Sequence, residues 1–240
     1  MSCHASPPPS SGEVAREARR RGATIPFRHA LNAADLAARY EQARASGALA
    51  LARGTGDDLL NPGHADEFRG LARRPAAVLV PVLDRAEASV LLTRRADHLR
   101  NHSGQIAFPG GACDAGEDAE TAALREASEE VGLTDAHVRE VLGPLPTYAS
   151  GSGFLVRPIL AVIDSSFRPR PAPEEVAEAF EVPLAFLMDA GNHGVGSGEW
   201  RGRVRRYYDM RYSDGGPERR IWGVTAGILR VMHERLYAGP

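Results

Sequence analysis

Three glutamates between residues 126 and 130 are spaced so that they could share one chemical task. Glu126, Glu129 and Glu130 stand at positions i, i+3 and i+4, so in a helix their side chains lie on one face. Like charges at this spacing repel each other in a plain helix. Hard divalent cations such as Mg²⁺ prefer carboxylate oxygens and usually share them with substrate phosphates. The spacing therefore predicts a helix face that binds Mg²⁺, with Mn²⁺ as a substitute that accepts similar ligands.

The three glutamates belong to a longer pattern over residues 111–133, which we call the box. The stretch reads GACDAGEDAETAALREASEEVGL and also contains Glu117 and Arg125. It resembles the signature box of the Nudix hydrolases, enzymes that split a diphosphate joining a nucleoside to another group. All seven fixed letters of that signature are present, and Ala127 replaces the usual bulky aliphatic residue. A solvated acidic helix is the plain alternative for a glutamate run, and the spacing argues against it.

The resemblance implies separate roles within the box. Glu126, Glu129 and Glu130 are implied to bind the metal and to take part in catalysis. The first acidic residue and the arginine of the family box form an ion pair that braces the loop against the helix. Glu117 and Arg125 are therefore expected to give structural support.

The general base is left open by the resemblance, because some Nudix enzymes use a box glutamate and others a glutamate in a later loop. Glu175 is the first candidate outside the box, with Glu174 and Glu178 behind it. The same acidic run is equally compatible with a helix N-terminus, where carboxylates interact favourably with the helix dipole.

A second motif lies directly before the box, and we call residues 91–111 the upstream signature. It contains LLTRRA and, from residue 99, LRNHSGQIAFPGG. These letters resemble the second signature of the coenzyme A pyrophosphatase branch of the Nudix family, with Ile106 where Val is usual. The similarity to that branch continues at 145–148, 175–184 and 221–229, and covers about residues 76–236.

The upstream signature also carries donors suited to phosphate. Coenzyme A has a diphosphate and a separate 3′-phosphate, so its site needs cationic groups beyond the metal. Arginine suits phosphate through its planar fork of N–H groups, and glycine lets the backbone approach closely. Each arginine could equally form a surface ion pair, and the glycines a tight turn. The candidate substrate-binding residues are Arg94, Arg95, Arg100, His102, Gln105, Gly110 and Gly111.

The resemblance thus implies metal-dependent hydrolysis of coenzyme A to 3′,5′-ADP and 4′-phosphopantetheine. Free, oxidised and acyl coenzyme A share this diphosphate, so the sequence does not choose among them. One alternative is a Nudix pyrophosphatase acting on ADP-ribose or another nucleoside diphosphate derivative. A non-catalytic ligand-binding module and an RNA-decapping enzyme rank lower, because the box keeps its carboxylates and no basic surface for RNA is evident.

Composition describes an ordinary globular protein of 240 residues with a formal net charge of -2 and 43% hydrophobic residues. This balance argues against a nucleic-acid partner, and a small-molecule substrate is expected. Two cysteines indicate a reducing compartment rather than a disulfide framework. No apolar run suits a signal peptide or a membrane span, so we expect a cytoplasmic location. Assembly into a homo-oligomer is left open.

Hydrophobic periodicity predicts the elements that must position these residues. Residues 1–13 are expected to be a disordered tail, 14–74 a helical N-terminal extension and 75–240 the Nudix domain. Strands alternating with a few helices indicate an α/β or α+β fold, and the resemblance implies a mixed sheet sandwiched between helices. The predicted helices are Ala33–Ala52, Ala119–Val131, a short one beginning within Glu174–Phe180, one following Val182–Phe186, and Val224–Leu236. The predicted strands are Ala77–Leu83, Val90–Thr93, Gln105–Phe108, Val138–Leu145, Phe154–Ile163 and Tyr207–Tyr212.

Overall fold

The computed structural model describes residues 31–50, 56–64, 73–99, 102–200 and 202–238. The predicted disordered tail lies outside these ranges. Within them the α-helices are α1 (Ala33–Ala45), α2 (Asp57–Leu60), α3 (Ala119–Val131), α4 (Leu184–Leu187) and α5 (Gly223–Leu236). The strands are β1 (Arg74–Leu83), β2 (Ser89–Arg95), β3 (Ile106–Ala107), β4 (Gly110–Ala112), β5 (Val138–Pro144), β6 (Tyr148–Ala149), β7 (Phe154–Ile163), β8 (Val176–Pro183), β9 (Gly194–Trp200), β10 (Arg203–Tyr212) and β11 (Arg219–Trp222).

The main sheet is mixed, as predicted. Strands β1 and β7 run parallel and stay in register from Arg74 opposite Phe154 to Leu83 opposite Ile163. The other strands join antiparallel in the order β3-β2-β1-β7-β5, while β4 pairs with β1, β6 with β7 and β8 with β2. A second sheet has the order β11-β10-β9. The sequence predicted only part of that second sheet, within β10.

Helices cover both faces of the main sheet because side chains alternate along each strand. On β1, Ala77 and Leu79 are buried with the alanines of α3. Val80 and Val82 point the other way and are buried with residues of α1 and α5. The predicted sandwich, an α+β fold with helices on both faces of a mixed sheet, is confirmed.

Helix α1 begins as predicted and ends earlier than predicted. Asn32 caps it by accepting a hydrogen bond from the Asp35 backbone N–H at 2.8 Å. The helix stops at Ala45 because Gly47 adopts φ +74°. The Ala48 N–H donates to the Ala43 carbonyl at 2.8 Å and the Gly47 N–H donates to the carbonyl of residue 44, which is the Schellman way of ending a helix. The division of the chain at residues 74 and 75 stays a prediction.

One predicted helix is wrong. Residues Val176–Pro183 form strand β8 and pair with β2 along its whole length. The run is rich in Ala and Glu, which favour helices. However, Val176, Phe180 and Val182 are buried at alternate positions, and burial against the sheet outweighs that weak local preference.

Candidate active site

Helix α3 carries the three box glutamates and forms as predicted. Asp118 caps its start by accepting hydrogen bonds from two backbone N–H groups of the first turn, each at 3.0 Å. Gly132 ends it in the left-handed conformation, with φ +70°, which glycine adopts at little cost. The glutamates differ in burial: Glu130 is 3% exposed, Glu126 is half-buried and Glu129 is exposed.

Glu130 lies against the end of the upstream signature. Its carboxylate accepts a hydrogen bond from the Gly110 backbone N–H at 3.3 Å, and an N–H group of Arg95 is 3.8 Å away. Burial raises the pKa of Glu130 to about 7, and the charges of Glu126 and Glu175 add to the increase. Ionisation of Glu130 beside these carboxylates therefore costs free energy unless a cation is near.

Glu126 faces the second glycine of the upstream signature. A Cβ atom added to Gly111 would lie 2.6 Å from the carboxyl carbon of Glu126, closer than atoms can approach. Burial raises the pKa of Glu126, and the nearby charges of Glu129 and Glu175 oppose its ionisation further. Glycine at position 111 therefore gives this carboxylate the space that it occupies.

The two glycines lie on β4, which pairs with β1 so that Gly110 is opposite Val78. Gly110 has φ +156°, and a Cβ there would collide with the Ala77 carbonyl oxygen and lie 2.6 Å from the Val78 Cα. A side chain at position 110 would push β4 off β1. Gly110 thus lets the strand carry its N–H group to Glu130.

Arg125 is held by Glu117 in a two-pronged ion pair. Its Nε and one terminal nitrogen donate to the two carboxylate oxygens of Glu117 at 2.9 and 3.0 Å. The other terminal nitrogen donates to Glu126 at 3.1 Å and to Glu129 at 3.2 Å. Glu117 also accepts a hydrogen bond from the Asp114 N–H at 2.9 Å. The pair thus joins the box loop to the helix, and its supporting role stays a prediction.

The donor set of this face fits a hard divalent cation. Glu126, Glu129 and Glu130 offer carboxylate oxygens. The side chains of Glu126 and Glu130 are partly and almost fully buried, and burial opposes the ionisation of both. In the structure, the opposing positive charge comes from Arg125 and Arg95. Among the residues that the structure describes, no three His, Cys, Asp or Glu side chains form a ready-made metal cage.

Glu175 lies in the turn before β8, beside the box face. Its charge raises the pKa of both Glu126 and Glu130, so it is close enough to act on them. Its backbone carbonyl accepts a hydrogen bond from the Ala96 N–H at 2.9 Å, which ties the turn to the end of β2. The alternative prediction of a helix N-terminus at this position is wrong, because the residues that follow form a strand.

The predicted arginines separate onto the two faces of the sheet. Arg95 points toward Glu130 on α3. Arg94 lies 3.8 Å from Glu178 and donates to Asp97 at 2.8 Å, on the face away from the box. Arg100 lies outside the described residues.

His102 and Gln105 lie in the turn that leads into β3. His102 has φ +58°, and one of its ring nitrogens is 2.8 Å from the side-chain oxygen of Gln105. The predicted strand over Gln105–Phe108 is shortened to Ile106–Ala107, because this turn occupies its first residue. Gln105 lines the same groove as Arg94.

The groove beside Arg94 is closed by three residues of β11, of which only Trp222 lies in the segment 221–229 that resembles the coenzyme A branch. Arg219, Arg220 and Trp222 of β11 form its far wall. For Arg219 and Arg220 the only signal was the sequence ERRIW, which begins at residue 218 and follows a glycine-rich turn. Nothing local in that sequence shows that it meets a turn more than a hundred residues earlier.

Comparison with known proteins gives a consistent result. The NUDIX domain profile matches residues 72–195. The chain is 42% identical over 172 residues to the "Uncharacterized Nudix hydrolase NudL" of Salmonella paratyphi B, covering 71% of this chain and 86% of that protein, with the same values for Salmonella newport. A crystal structure of a Nudix hydrolase from M. smegmatis, RenU, has 29% identity and a TM-score of 0.37, covering 47% of this chain and 71% of that one.

Within the described residues, no helix has the length and apolar character needed to cross a membrane.

The profile match spans half of the chain, and it contains the box glutamates, the glycine pair and Glu175. The relatives in Salmonella extend the similarity over most of both sequences. The chain is therefore a member of the Nudix hydrolase family, whose activity is hydrolysis of nucleoside diphosphate derivatives.

Proposed function

We propose that this Nudix hydrolase splits the diphosphate of coenzyme A or of its derivatives, releasing 3′,5′-ADP and 4′-phosphopantetheine. One observation carries the proposal: the upstream signature forms a wall of the box site. Arg95 lies 3.8 Å from Glu130, and Gly110 donates a hydrogen bond to the same carboxylate. The segment that resembles the coenzyme A branch is thus in contact with the carboxylates of the box.

The roles of the residues follow from their positions. Glu126, Glu129 and Glu130 would hold Mg²⁺ or Mn²⁺, which supplies polarisation of a diphosphate oxygen and a lower pKa for the attacking water. Arg95 offers N–H donors to phosphate oxygens beside Glu130. Gly110 and Gly111 let the chain pass close to β1 and to the Glu126 carboxylate, where a side chain would collide. The substrate diphosphate is then expected beside Arg95 and Glu130.

Glu175 is our candidate for the general base. It acts electrostatically on two box carboxylates and sits on a turn held by β2. In that role its carboxylate takes one proton from the water whose oxygen attacks one phosphorus. The bond from that phosphorus to the bridging oxygen breaks, and the bridging oxygen leaves with the other phosphate.

The test is product analysis with purified protein. Coenzyme A, ADP-ribose and NADH are each incubated with Mg²⁺ or with EDTA, and products are identified by chromatography with mass detection. We expect 3′,5′-ADP and 4′-phosphopantetheine from coenzyme A only with Mg²⁺, and little change in the other two. A Glu126→Gln variant is purified in parallel, and any activity that it retains at the level of the unmodified protein is attributed to contaminating enzymes.

Other outcomes would replace the proposal. Preferential cleavage of ADP-ribose or NADH would keep the Nudix reaction and discard coenzyme A as the substrate. No cleavage of any compound by folded protein in Mg²⁺ would indicate a ligand-binding module instead.

A further inference from the structure

A groove of about 630 Å³ lies beside the upstream signature, on the side of β2 that carries Arg94. One wall comes from Arg94 on β2 and from the turn at Gln105. The other wall is β11, which lies beyond the residues that the NUDIX profile matches. The Thr225 hydroxyl on α5 donates to the Ile106 carbonyl at 3.1 Å, which holds the two walls together.

Guanidinium groups stand on both sides of the groove, and carboxylates hold them in place. Arg219 donates to Glu178 at 2.8 Å and to Asp214 at 3.1 Å, and its guanidinium lies 4.6 Å from the centre of the Phe180 ring. Arg94 is fixed by Asp97. Glu178 stands between the two arginines, 3.8 Å from Arg94. Both guanidinium groups are therefore oriented before any ligand arrives.

Each of these guanidinium groups keeps an unused edge. Over the described ranges, Nε of Arg219 and one terminal nitrogen of Arg94 have no hydrogen-bond acceptor. Arg220 likewise uses Nε and one terminal nitrogen on Asp209, and leaves its other terminal nitrogen without an acceptor. Fixed N–H donors of this kind suit the oxygens of a phosphate monoester.

The groove also contains an aromatic surface. Trp222 lines it, with the Tyr207 ring 5.1 Å away between ring centres. Aromatic side chains stack on nucleobases whatever the base. An indole beside fixed guanidinium groups suits a purine nucleoside that carries its own phosphate. The pantetheine arm is neutral, so it has no anionic group for these cations to bind.

We propose that this groove binds the adenosine of the substrate, with Arg94 and Arg219 reading the 3′-phosphate and Trp222 lying against the base. The inference rests on the proposed function, because coenzyme A brings that phosphate to the site. It gives two adjacent arginines different roles: Arg95 binds the diphosphate at the box, and Arg94 binds the 3′-phosphate. Substrate choice then depends on β11, outside the matched domain.

The first experiment measures binding without catalysis. Full-length protein in EDTA is titrated calorimetrically with adenosine 3′,5′-bisphosphate and with 5′-AMP, which differ only in the 3′-phosphate. We expect the bisphosphate to bind about 10- to 100-fold more tightly, the range for charge-assisted hydrogen bonds. Arg219→Gln and Arg94→Gln should each remove most of that difference and leave 5′-AMP binding nearly unchanged.

The matched control is Arg139→Gln on β5, at the other end of the sheet order. Arg139, like Arg219, bridges two carboxylates, those of Asp84 and Asp164. It should keep the full preference for the bisphosphate. Using two variants from separate strands guards against a local folding defect in either one, and thermal melts of each variant check this.

The second experiment compares kcat/KM for coenzyme A with that for dephospho-coenzyme A. We expect Arg219→Gln to lower only the first. Equal binding of the two nucleotides by the unmodified protein, no measurable binding of the bisphosphate, or an equal loss for both in the variants would overturn the groove assignment. Binding preference without coenzyme A cleavage would keep the groove and reject the proposed reaction, so the two failures are distinguishable.

Discussion

The carboxylate of Glu130 accepts a hydrogen bond from the backbone N–H of Gly110, twenty residues earlier in the chain. This contact joins the helix that carries the acidic residues to the strand that ends the upstream signature. It also places a nearly buried carboxylate where burial raises its pKa to about 7. The site is therefore built at an energetic cost that a bound cation would offset.

That cost gives a pH-dependent stability. The folded-state pKa of Glu130, about 7, exceeds the ordinary value of 4.5, so the folded protein binds this proton more tightly than the unfolded chain. The contribution of Glu130 to stability therefore falls as pH rises from 4.5 to 7. Above that range the free energy of unfolding has fallen by about 3 kcal/mol, because each pKa unit corresponds to about 1.36 kcal/mol.

Glu130→Gln should remove that loss. In EDTA, we expect the free energy of unfolding of the variant to exceed that of the unmodified protein by up to about 3 kcal/mol at pH 8, and by little near pH 4.5. Urea denaturation at the two pH values measures this. A variant that is less stable than the unmodified protein at pH 8 would show that the Glu130 carboxylate is well accommodated as an anion.

The same substitution should abolish most turnover with Mg²⁺ while the protein stays folded. We propose that Glu130 binds the cation, and glutamine binds hard cations poorly compared with a carboxylate. Glu120→Gln, on the exposed first turn of the same helix, serves as the control and should keep full activity. Full activity of folded Glu130→Gln would remove this residue from the metal site.

Substitutions at the two glycines should have different effects. A Cβ on Gly111 meets the end of the Glu126 side chain, which can move, whereas a Cβ on Gly110 meets the backbone of β1, which cannot. Gly111→Ala should therefore lower kcat strongly with little change in Tm, and Gly110→Ala should lower Tm. Ala112→Ser, at the exposed next position, is the control. A fully active Gly111→Ala variant would mean that Glu126 is not needed where it stands.

Arg125→Ala should reduce stability and activity together. The side chain holds Glu117 with two hydrogen bonds and also contacts Glu126 and Glu129, so its loss frees the box loop and leaves three carboxylates uncompensated. Thermal melts and turnover are measured side by side. Arg44→Ala, which breaks an exposed pair with Glu41, should change Tm little. A stable but inactive Arg125→Ala protein would point to direct contact with substrate.

Glu175→Gln tests the general base. Removal of a general base lowers kcat by about 100-fold or more, and we expect a loss of that size with KM nearly unchanged. The pH dependence of kcat is measured as well, because the limb that reports the base should disappear. A loss of only a few-fold would exclude Glu175 and leave a box glutamate in that role.

Local patterns were sufficient for the elements whose boundaries depend on nearby residues. The predicted bounds of the box helix, Ala119–Val131, are confirmed, as are those of the strand Phe154–Ile163. The helix start depends on the Asp118 cap and its end on Gly132, both within one turn. The strand is a mostly apolar run, FLVRPILAVI, that continues through Arg157 and Pro158. The spacing of the box was likewise enough to predict that Glu126 and Glu130 share one helix face.

Tertiary structure decided what depends on distant partners. Strand β8 has the composition of a helix and becomes a strand because β2 pairs with it. Arg94 and Arg95 are adjacent in sequence, yet the sheet sends one to the groove at β11 and the other to Glu130. The side chains that we propose as metal and phosphate ligands were chosen from the sequence. Which of them meet was decided by sheet pairing, because hydrogen bonding between strands joins residues that are far apart in the chain and sends successive side chains to opposite faces.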